Sequence, residues 1–167
     1  APYYSAKLAI SPLQLSALFM WFGALGLFGN IWMSRHVDRL GAPRMVWMGI
    51  CGMILSMAIW PLGTTLFLAA LVTAPWAVSI FATNSAQQAR LVGFAPALAS
   101  GSVALNTSAM YAGQAIGTFL GGVLISTGRM DDLHWYGFVI LVLALVASLW
   151  ATYLTNRLKT SHGLKNS

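Results

Sequence analysis

Five long apolar segments run through this chain, and their length constrains its fold more than any other feature. The segments lie at about 12–34, 45–62, 64–83, 100–126 and 135–154, and short polar or turn-forming stretches separate them. A helix needs about 20 mainly apolar residues to cross the hydrocarbon core of a bilayer. Because backbone N–H and C=O groups in lipid must be hydrogen-bonded within the protein, such segments form helices. The pattern therefore predicts an all-α fold, a polytopic transmembrane helical bundle with about five full spans.

The composition argues against a water-soluble domain. Of 167 residues, 58% are hydrophobic and only 7% are charged, whereas soluble domains carry about 25% charged residues. The formal net charge of +6 does not predict nucleic-acid binding, because the basic residues are scattered singly between apolar runs. The single cysteine, Cys51, cannot form a disulfide framework. We expect the lipid bilayer to be a partner of this chain, and we expect no nucleic acid partner.

The positions of Lys and Arg predict the orientation. Seven of them lie between the first and second spans, between the third and fourth, or after the fifth: Arg35, Arg39, Arg44, Arg90, Arg157, Lys159 and Lys165. The remaining two, Lys7 and Arg129, belong to the other side. Since cytoplasmic loops carry an excess of basic residues, we expect a multi-pass protein of the inner (plasma) membrane with a cytoplasmic tail at 155–167. The first ten residues lack the pattern of a signal peptide and predict the tail of a helix that begins upstream.

Hydrogen-bonding side chains are unevenly distributed among the spans. The second and fifth spans contain few, whereas the first, third and fourth contain more. Polar groups in hydrocarbon are costly unless they face protein or water. The first, third and fourth spans are therefore predicted to be interior, and the second and fifth to face lipid.

The fourth span carries two parallel stripes at helical spacing. One is polar and consists of Thr107, Tyr111, Gln114 and Thr118; the other is small and consists of Ala109, Gly113, Gly117 and Gly121. Small residues four apart let another helix approach closely, so the second stripe predicts helix packing. The polar stripe predicts a cavity lining, with hydrogen bonding between helices as the alternative. The candidate substrate-cavity residues are Asn30, Thr73, Trp76, Asn106, Thr107, Tyr111, Gln114 and Thr118.

The sequence contains no recognisable parts of a catalytic or metal site. There is no Gly-x-Ser-x-Gly motif, and His36, His134 and His162 lie outside the spans. We therefore expect no catalytic residue, no metal and no cofactor. No span has an acidic or basic residue near its middle, so a proton-coupling carboxylate is expected outside this chain.

Two segments resemble the major facilitator superfamily of transporters. In GNIWMSRHVDRLGAPR, the residues Asp38, Arg39 and Gly41 match the family's loop signature, Gly-x-x-x-Asp-Arg-x-Gly-Arg/Lys, and Arg44 stands for its closing basic residue. Ser34 replaces the first glycine of that signature. The fourth span, LNTSAMYAGQAIGTFLGGVLIS, is similar to the eleventh helix of sugar and drug efflux members. The resemblance covers essentially the whole chain, from the end of the seventh helix through the twelfth.

The resemblance implies a function and further partners. The chain would be the C-terminal transmembrane half-domain, 1–167, of a secondary transporter that exports a small organic molecule by alternating access, driven by protons. Its partner would be the N-terminal six-helix half of the same protein. Asp38, Arg39, Gly41 and Arg44 would form a conformational-lock loop whose contacts break and re-form between states. The alternative is a non-transporting helical membrane scaffold or a channel subunit.

Overall fold

Each predicted span falls on one long helix of the structure. A computed structural model describes the backbone of residues 2–163 and the side chains of residues 3–158. The α-helices are α1 (Pro2–Leu8), α2 (Pro12–Leu40), α3 (Ala42–Ile59), α4 (Leu66–Phe94), α5 (Ala99–Ser126) and α6 (Leu133–Gly163). Short 3-10 helices occupy Trp60–Leu62, Pro96–Leu98 and Met130–Asp132. Within the described residues there is no strand, and five helices are long and apolar enough to cross a membrane. The prediction of an all-α polytopic bundle is confirmed.

Helix α2 begins with a reciprocal cap. The Gln14 backbone N–H donates to Ser11 Oγ at 3.3 Å, and the Ser11 N–H donates to Gln14 Oε1 at 2.8 Å. Pro12 takes the first helical position, where its missing N–H costs nothing. Gln14, one of the polar side chains of the first span, is therefore used to start the helix.

Two stretches expected to be loops are largely helical. Helix α2 runs through Asp38 and Arg39, and α3 begins at Ala42, so the turn between them is the single residue Gly41. Gly41 has φ 83°, a conformation that glycine adopts without strain. Likewise α4 continues past the predicted end of its span, at 83, as far as Phe94. Polarity marks where the chain leaves lipid, whereas the helix itself ends only where glycine or proline interrupts its hydrogen bonds.

The core of the bundle lies where α4 packs against α2 and α3. The buried residues at its centre include Met45, Val46 and Ala82. Close approach depends on glycine: a Cβ at Gly29 would collide with the backbone of Val78, and a Cβ at Gly49 would collide with the side chain of Thr83. Helix α6 packs on the other flank of α3.

The burial of individual helices differs from the prediction in one case. The second span was expected to face lipid, yet α3 contributes six buried residues and lies between α4 and α6. The prediction was wrong for the buried face of α3. This helix has few polar side chains but several small ones, and small residues favour close packing. Helix α6 contains no buried residue in its spanning window, and its lipid-facing position stays a prediction.

Helix α5, predicted to be interior, has no buried residue in this chain. Its interior position stays a prediction that depends on further helices. In the predicted cytoplasmic tail, Lys165 and the side chains of Lys159 and His162 lie outside the described residues.

Candidate functional site

A layer of neutral polar side chains connects α2, α4 and α5. Ser85 Oγ of α4 donates to Asn30 Oδ1 of α2 at 2.7 Å. The neighbouring residue Asn84 accepts, through Oδ1, from Asn106 Nδ2 of α5 at 3.2 Å. Adjacent residues of α4 thus point to two different helices. We call Asn30, Asn84, Ser85 and Asn106 the polar layer.

The polar layer lies well inside the bundle. At about 1.5 Å of rise per residue, Asn30 and Asn84 lie about 15 Å before the ends of their helices at Leu40 and Phe94. By the same rise Asn106 lies about 10 Å after the start of α5. All four side chains are half-buried. The structure therefore brings the predicted cavity residues Asn30 and Asn106 to one level on either side of α4.

Four of the other predicted cavity residues lie on α5. Thr107 is half-buried, and its Oγ1 donates to the Val103 carbonyl of the same helix at 3.0 Å. Tyr111, Gln114 and Thr118 are exposed, with Tyr111 at 62%. Residues 111–120 are all exposed, so no side of this part of α5 is covered by the described helices.

The small stripe of α5 is also uncovered. A Cβ at Gly113 or Gly117 would meet nothing within 4 Å, and one at Gly121 would reach only Leu133, at 3.9 Å. Ala109 is exposed. No helix of the described part of the chain uses this stripe, so its packing role stays a prediction.

Thr73 and Trp76 lie apart from the polar layer. Thr73 is buried, and its Oγ1 donates to the carbonyls of Ala69 and Ala70. The Trp76 ring packs edge-on against Phe22, with centroids 5.6 Å apart. Since Trp76 is eight residues from Asn84, the two are separated by about 12 Å along α4.

The segment predicted as a conformational-lock loop is a sharp corner between helices. Asp38 and Arg39 lie in the last turn of α2, Gly41 makes the break, and Arg44 lies in the first turn of α3. Asp38, Arg39 and Arg44 are exposed, and no described residue forms an ion pair with them. The corner therefore presents three charges to its surroundings.

Arg90, expected in a loop between the third and fourth spans, has a role that the sequence did not predict. Arg90 lies on α4 and is half-buried against α6. Its guanidinium donates to Ser148 Oγ at 2.9 Å, to the Ser148 carbonyl at 3.2 Å and to Thr152 Oγ1 at 3.0 Å. The available signal was the spacing of Ser148 and Thr152, four residues apart in an otherwise apolar helix. We call the end of the bundle with Arg35, Arg39, Arg44, Arg90 and Arg157 the arginine-rich end.

The opposite end carries paired charges. Lys7 forms a salt bridge with Asp131 at 2.5 Å, and Arg129 forms one with Asp132 at 2.9 Å. The hydrogen bond from Lys7 to Asp131 raises the pKa of Lys7, and the hydrogen bond from Arg129 to Asp132 raises the pKa of Arg129. Two of the chain's three acidic residues are thereby neutralised at this end.

Comparison with known proteins gives one relative. No family model matches the chain, and no solved structure matches it. The chain is 25% identical over 150 residues to an uncharacterized MFS-type transporter, YbcL, of Bacillus subtilis (strain 168). The match covers 89% of this chain but only 38% of that protein, so the chain spans well under half of the relative's length. Together with the five apolar helices, the similarity supports, at the level of the family, an integral membrane protein related to transporters.

Proposed function

We infer that the chain is the C-terminal half of a secondary transporter of the major facilitator type. It forms one wall of a substrate path, and a six-helix N-terminal half of the same protein forms the other. Transport is efflux of a small organic molecule, coupled to protons, by alternating access between two rocking halves. The distant similarity to an MFS-type transporter supports the family, and the geometry of α5 supports the arrangement.

The exposure of α5 is the observation that carries this proposal. Residues 111–120 of α5 are exposed on every side. One side presents Tyr111, Gln114 and Thr118, and the opposite side presents the apolar Ile116, Phe119 and Leu120. Helix α6 presents apolar side chains such as Val139 and Val146, which are 54% and 55% exposed. Polar groups in contact with hydrocarbon are costly, and apolar groups are not. The apolar face of α6 therefore suits lipid, and the polar side of α5 suits a water-containing path or a second half.

The polar layer determines which ligands would suit this wall. Its amides and hydroxyls are neutral and both donate and accept hydrogen bonds. No carboxylate lies near the middle of any span. This wall therefore suits an uncharged or amphipathic substrate, and the proton-binding group belongs to the other half.

The corner at Gly41 would act as the conformational lock. Asp38 is exposed and lies beside the start of α3, where a helix N-terminus favours negative charge. A contact of this kind contributes about 0.3–2 kcal/mol, depending on burial. In one state Asp38, Arg39 and Arg44 would pair with charges of the N-terminal half, closing the cytoplasmic side; in the other state those pairs would separate.

The proposal is tested by cysteine accessibility in the full-length protein with Cys51→Ala as background. Gln114→Cys should react with a membrane-impermeant, charged thiol reagent, because water reaches this position in at least one state. Val146→Cys, which is also exposed in this chain but lies on the apolar face of α6, is the matched control and should not react. Adding a transported compound should change the rate at Gln114→Cys from each side in opposite directions.

The same measurement separates the alternatives. In a channel subunit, Gln114→Cys would react with reagent from both sides of the membrane, and a transported compound would not change the two rates in opposite directions. A scaffold would leave Gln114→Cys as unreactive as Val146→Cys. Efflux coupled to protons is checked in everted vesicles, where a transported compound should dissipate an imposed pH gradient.

A further inference from the structure

The arginine-rich end contains a cleft between α3, α4 and α6. Its volume is about 800 Å³, and its walls include Val46, Leu91 and Phe94 on one side and Ala144 and Ala151 on the other. The cleft exists because α6 presents small side chains here: Ala144, Ala147, Ser148 and Ala151 all line it. Most of the wall is apolar, and the polar groups gather around Arg90. The cleft is distinct from the polar layer.

Arg90 brings a positive charge into this cleft without an acidic partner. Its three hydrogen bonds all go to neutral oxygens of Ser148 and Thr152. Among the described residues, Asp131 and Asp132 are paired at the opposite end, and Asp38 is exposed and makes no ion pair. A guanidinium offers five N–H donors and matches phosphate geometry. The positive charge of Arg90 is therefore unbalanced among the described residues, and its guanidinium has N–H groups left to donate.

A second polar group in the cleft also lacks a partner. Gln87 lines the cleft, and its Oε1 is buried without a hydrogen-bond partner among the described residues. A buried acceptor of this kind is stabilised by a donor. Because Gln87 Oε1 is closed to solvent, a ligand reaches it only when the Gln87 side chain turns toward the cleft. A ligand with an anionic oxygen for Arg90 and a hydroxyl for Gln87 would then satisfy both.

We propose that this cleft binds the headgroup of an anionic membrane lipid of the phosphatidylglycerol type. The lipid phosphate accepts from Arg90, a headgroup hydroxyl donates to Gln87, and an acyl chain lies along the apolar surface of α6. Basic pockets between membrane helices on the cytoplasmic side are suited to anionic headgroups. Arg35, Arg39, Arg44 and Arg157 at the same end add to the attraction. The proposal does not depend on which substrate, if any, the protein transports.

The test measures lipid binding to the purified full-length protein. Dioctanoyl phosphatidylglycerol, dioctanoyl phosphatidylcholine and sodium phosphate are each titrated in detergent, and binding is followed by native mass spectrometry and by the rise in thermal midpoint. Phosphatidylglycerol should bind, phosphatidylcholine should bind more weakly, and inorganic phosphate should neither bind nor compete. The phosphate arm separates a lipid site from a simple anion site.

Three variants locate the site. Arg90→Gln should weaken phosphatidylglycerol binding by at least about fivefold, the equivalent of about 1 kcal/mol. Arg39→Gln removes the same charge from the same end but from an exposed position, and it should weaken phosphatidylglycerol binding clearly less than Arg90→Gln does. Ala147→Phe fills the cleft without changing any charge and should weaken binding as much as Arg90→Gln does.

Defined results would overturn the proposal. Equal losses in Arg90→Gln and Arg39→Gln would mean that the net charge of this end, and not the cleft, attracts the lipid. Competition by millimolar phosphate would mean a site for free anions. Should Arg90→Gln fail to fold, Ala147→Phe decides, and unchanged phosphatidylglycerol binding in that variant would exclude the cleft.

Discussion

Glycine at position 29 allows α2 and α4 to touch through their backbones. A Cβ built there would lie 2.7 Å from the Val78 carbonyl carbon and 2.8 Å from the Val78 Cα, and it would overlap the carbonyl oxygen. Backbone atoms of a helix cannot move aside as a flexible side chain does. Gly23, two turns earlier on the same helix, has nothing within 4 Å of its Cβ position.

Gly29→Ala should therefore destabilise the protein, and Gly23→Ala should not. Overpacking of this kind costs about 1–3 kcal/mol, whereas an added methyl in open space has an effect within about 0.5 kcal/mol. Thermal unfolding of the purified full-length protein in detergent compares the two variants with the parent. Equal thermal midpoints for Gly29→Ala and Gly23→Ala would show that α2 and α4 do not meet at this position.

Helix α4 stays continuous although it contains Pro75. Proline removes one backbone hydrogen bond, and membrane helices tolerate this when neighbours supply donors. Neighbouring donors are present in the preceding turn: Trp21 Nε1 donates to the Ala70 carbonyl at 3.1 Å, and Ser56 Oγ donates to the Val72 carbonyl. The turn before Pro75 is thus held by α2 and α3, which favours a rigid segment over a free hinge.

Helix α5 differs from α4 because its packing surface is empty in this chain. If the N-terminal half covers the small stripe, Gly117→Leu should force the helices apart and lower the thermal midpoint and membrane abundance of the full-length protein. Gln114→Ala, three residues away on the neighbouring face, is the matched control. Losing one hydrogen bond between membrane helices costs about 0.6 kcal/mol, so that variant should fold normally and alter transport.

The opposite pattern is equally informative. A well-folded Gly117→Leu protein with normal transport by Gln114→Ala would contradict both face assignments. The small stripe would then face lipid, and the substrate path would lie elsewhere in the bundle.

At the scale of the whole molecule, the two ends of the bundle differ in charge. Among the described residues, the basic side chains of the arginine-rich end make no salt bridge, and the opposite end carries the salt bridges of Lys7 and Arg129. Since basic residues are retained on the cytoplasmic side, we expect the arginine-rich end to be cytoplasmic.

This orientation is tested by labelling single cysteines in the Cys51→Ala full-length protein. Asp38→Cys should react with an impermeant maleimide only when the reagent reaches the cytoplasmic face. Asp131→Cys should react only from outside, and it serves as the reciprocal control. External labelling of Asp38→Cys in intact cells would reverse the orientation.

The sequence by itself determined the class of the protein and the number of long helices, because the length of an apolar run must match the thickness of the bilayer. It also predicted that Asn30 and Asn106 line a common cavity, since polar groups in lipid must find polar partners; the two lie at one level on either side of α4, and the cavity stays a prediction. Only the tertiary structure decided which helices touch. Helix α3 is buried against α4 through Gly49 and Thr83, and polarity alone had assigned it to lipid. The position of Arg90 was also decided by the tertiary structure. Its sequence neighbours indicated a loop, whereas its acceptors, Ser148 and Thr152, lie on a helix 58 and 62 residues later. The spacing of residues in the sequence shows which side chains share one face of a helix. Which faces of two helices pack together depends on side-chain shapes that come into contact only in the folded bundle.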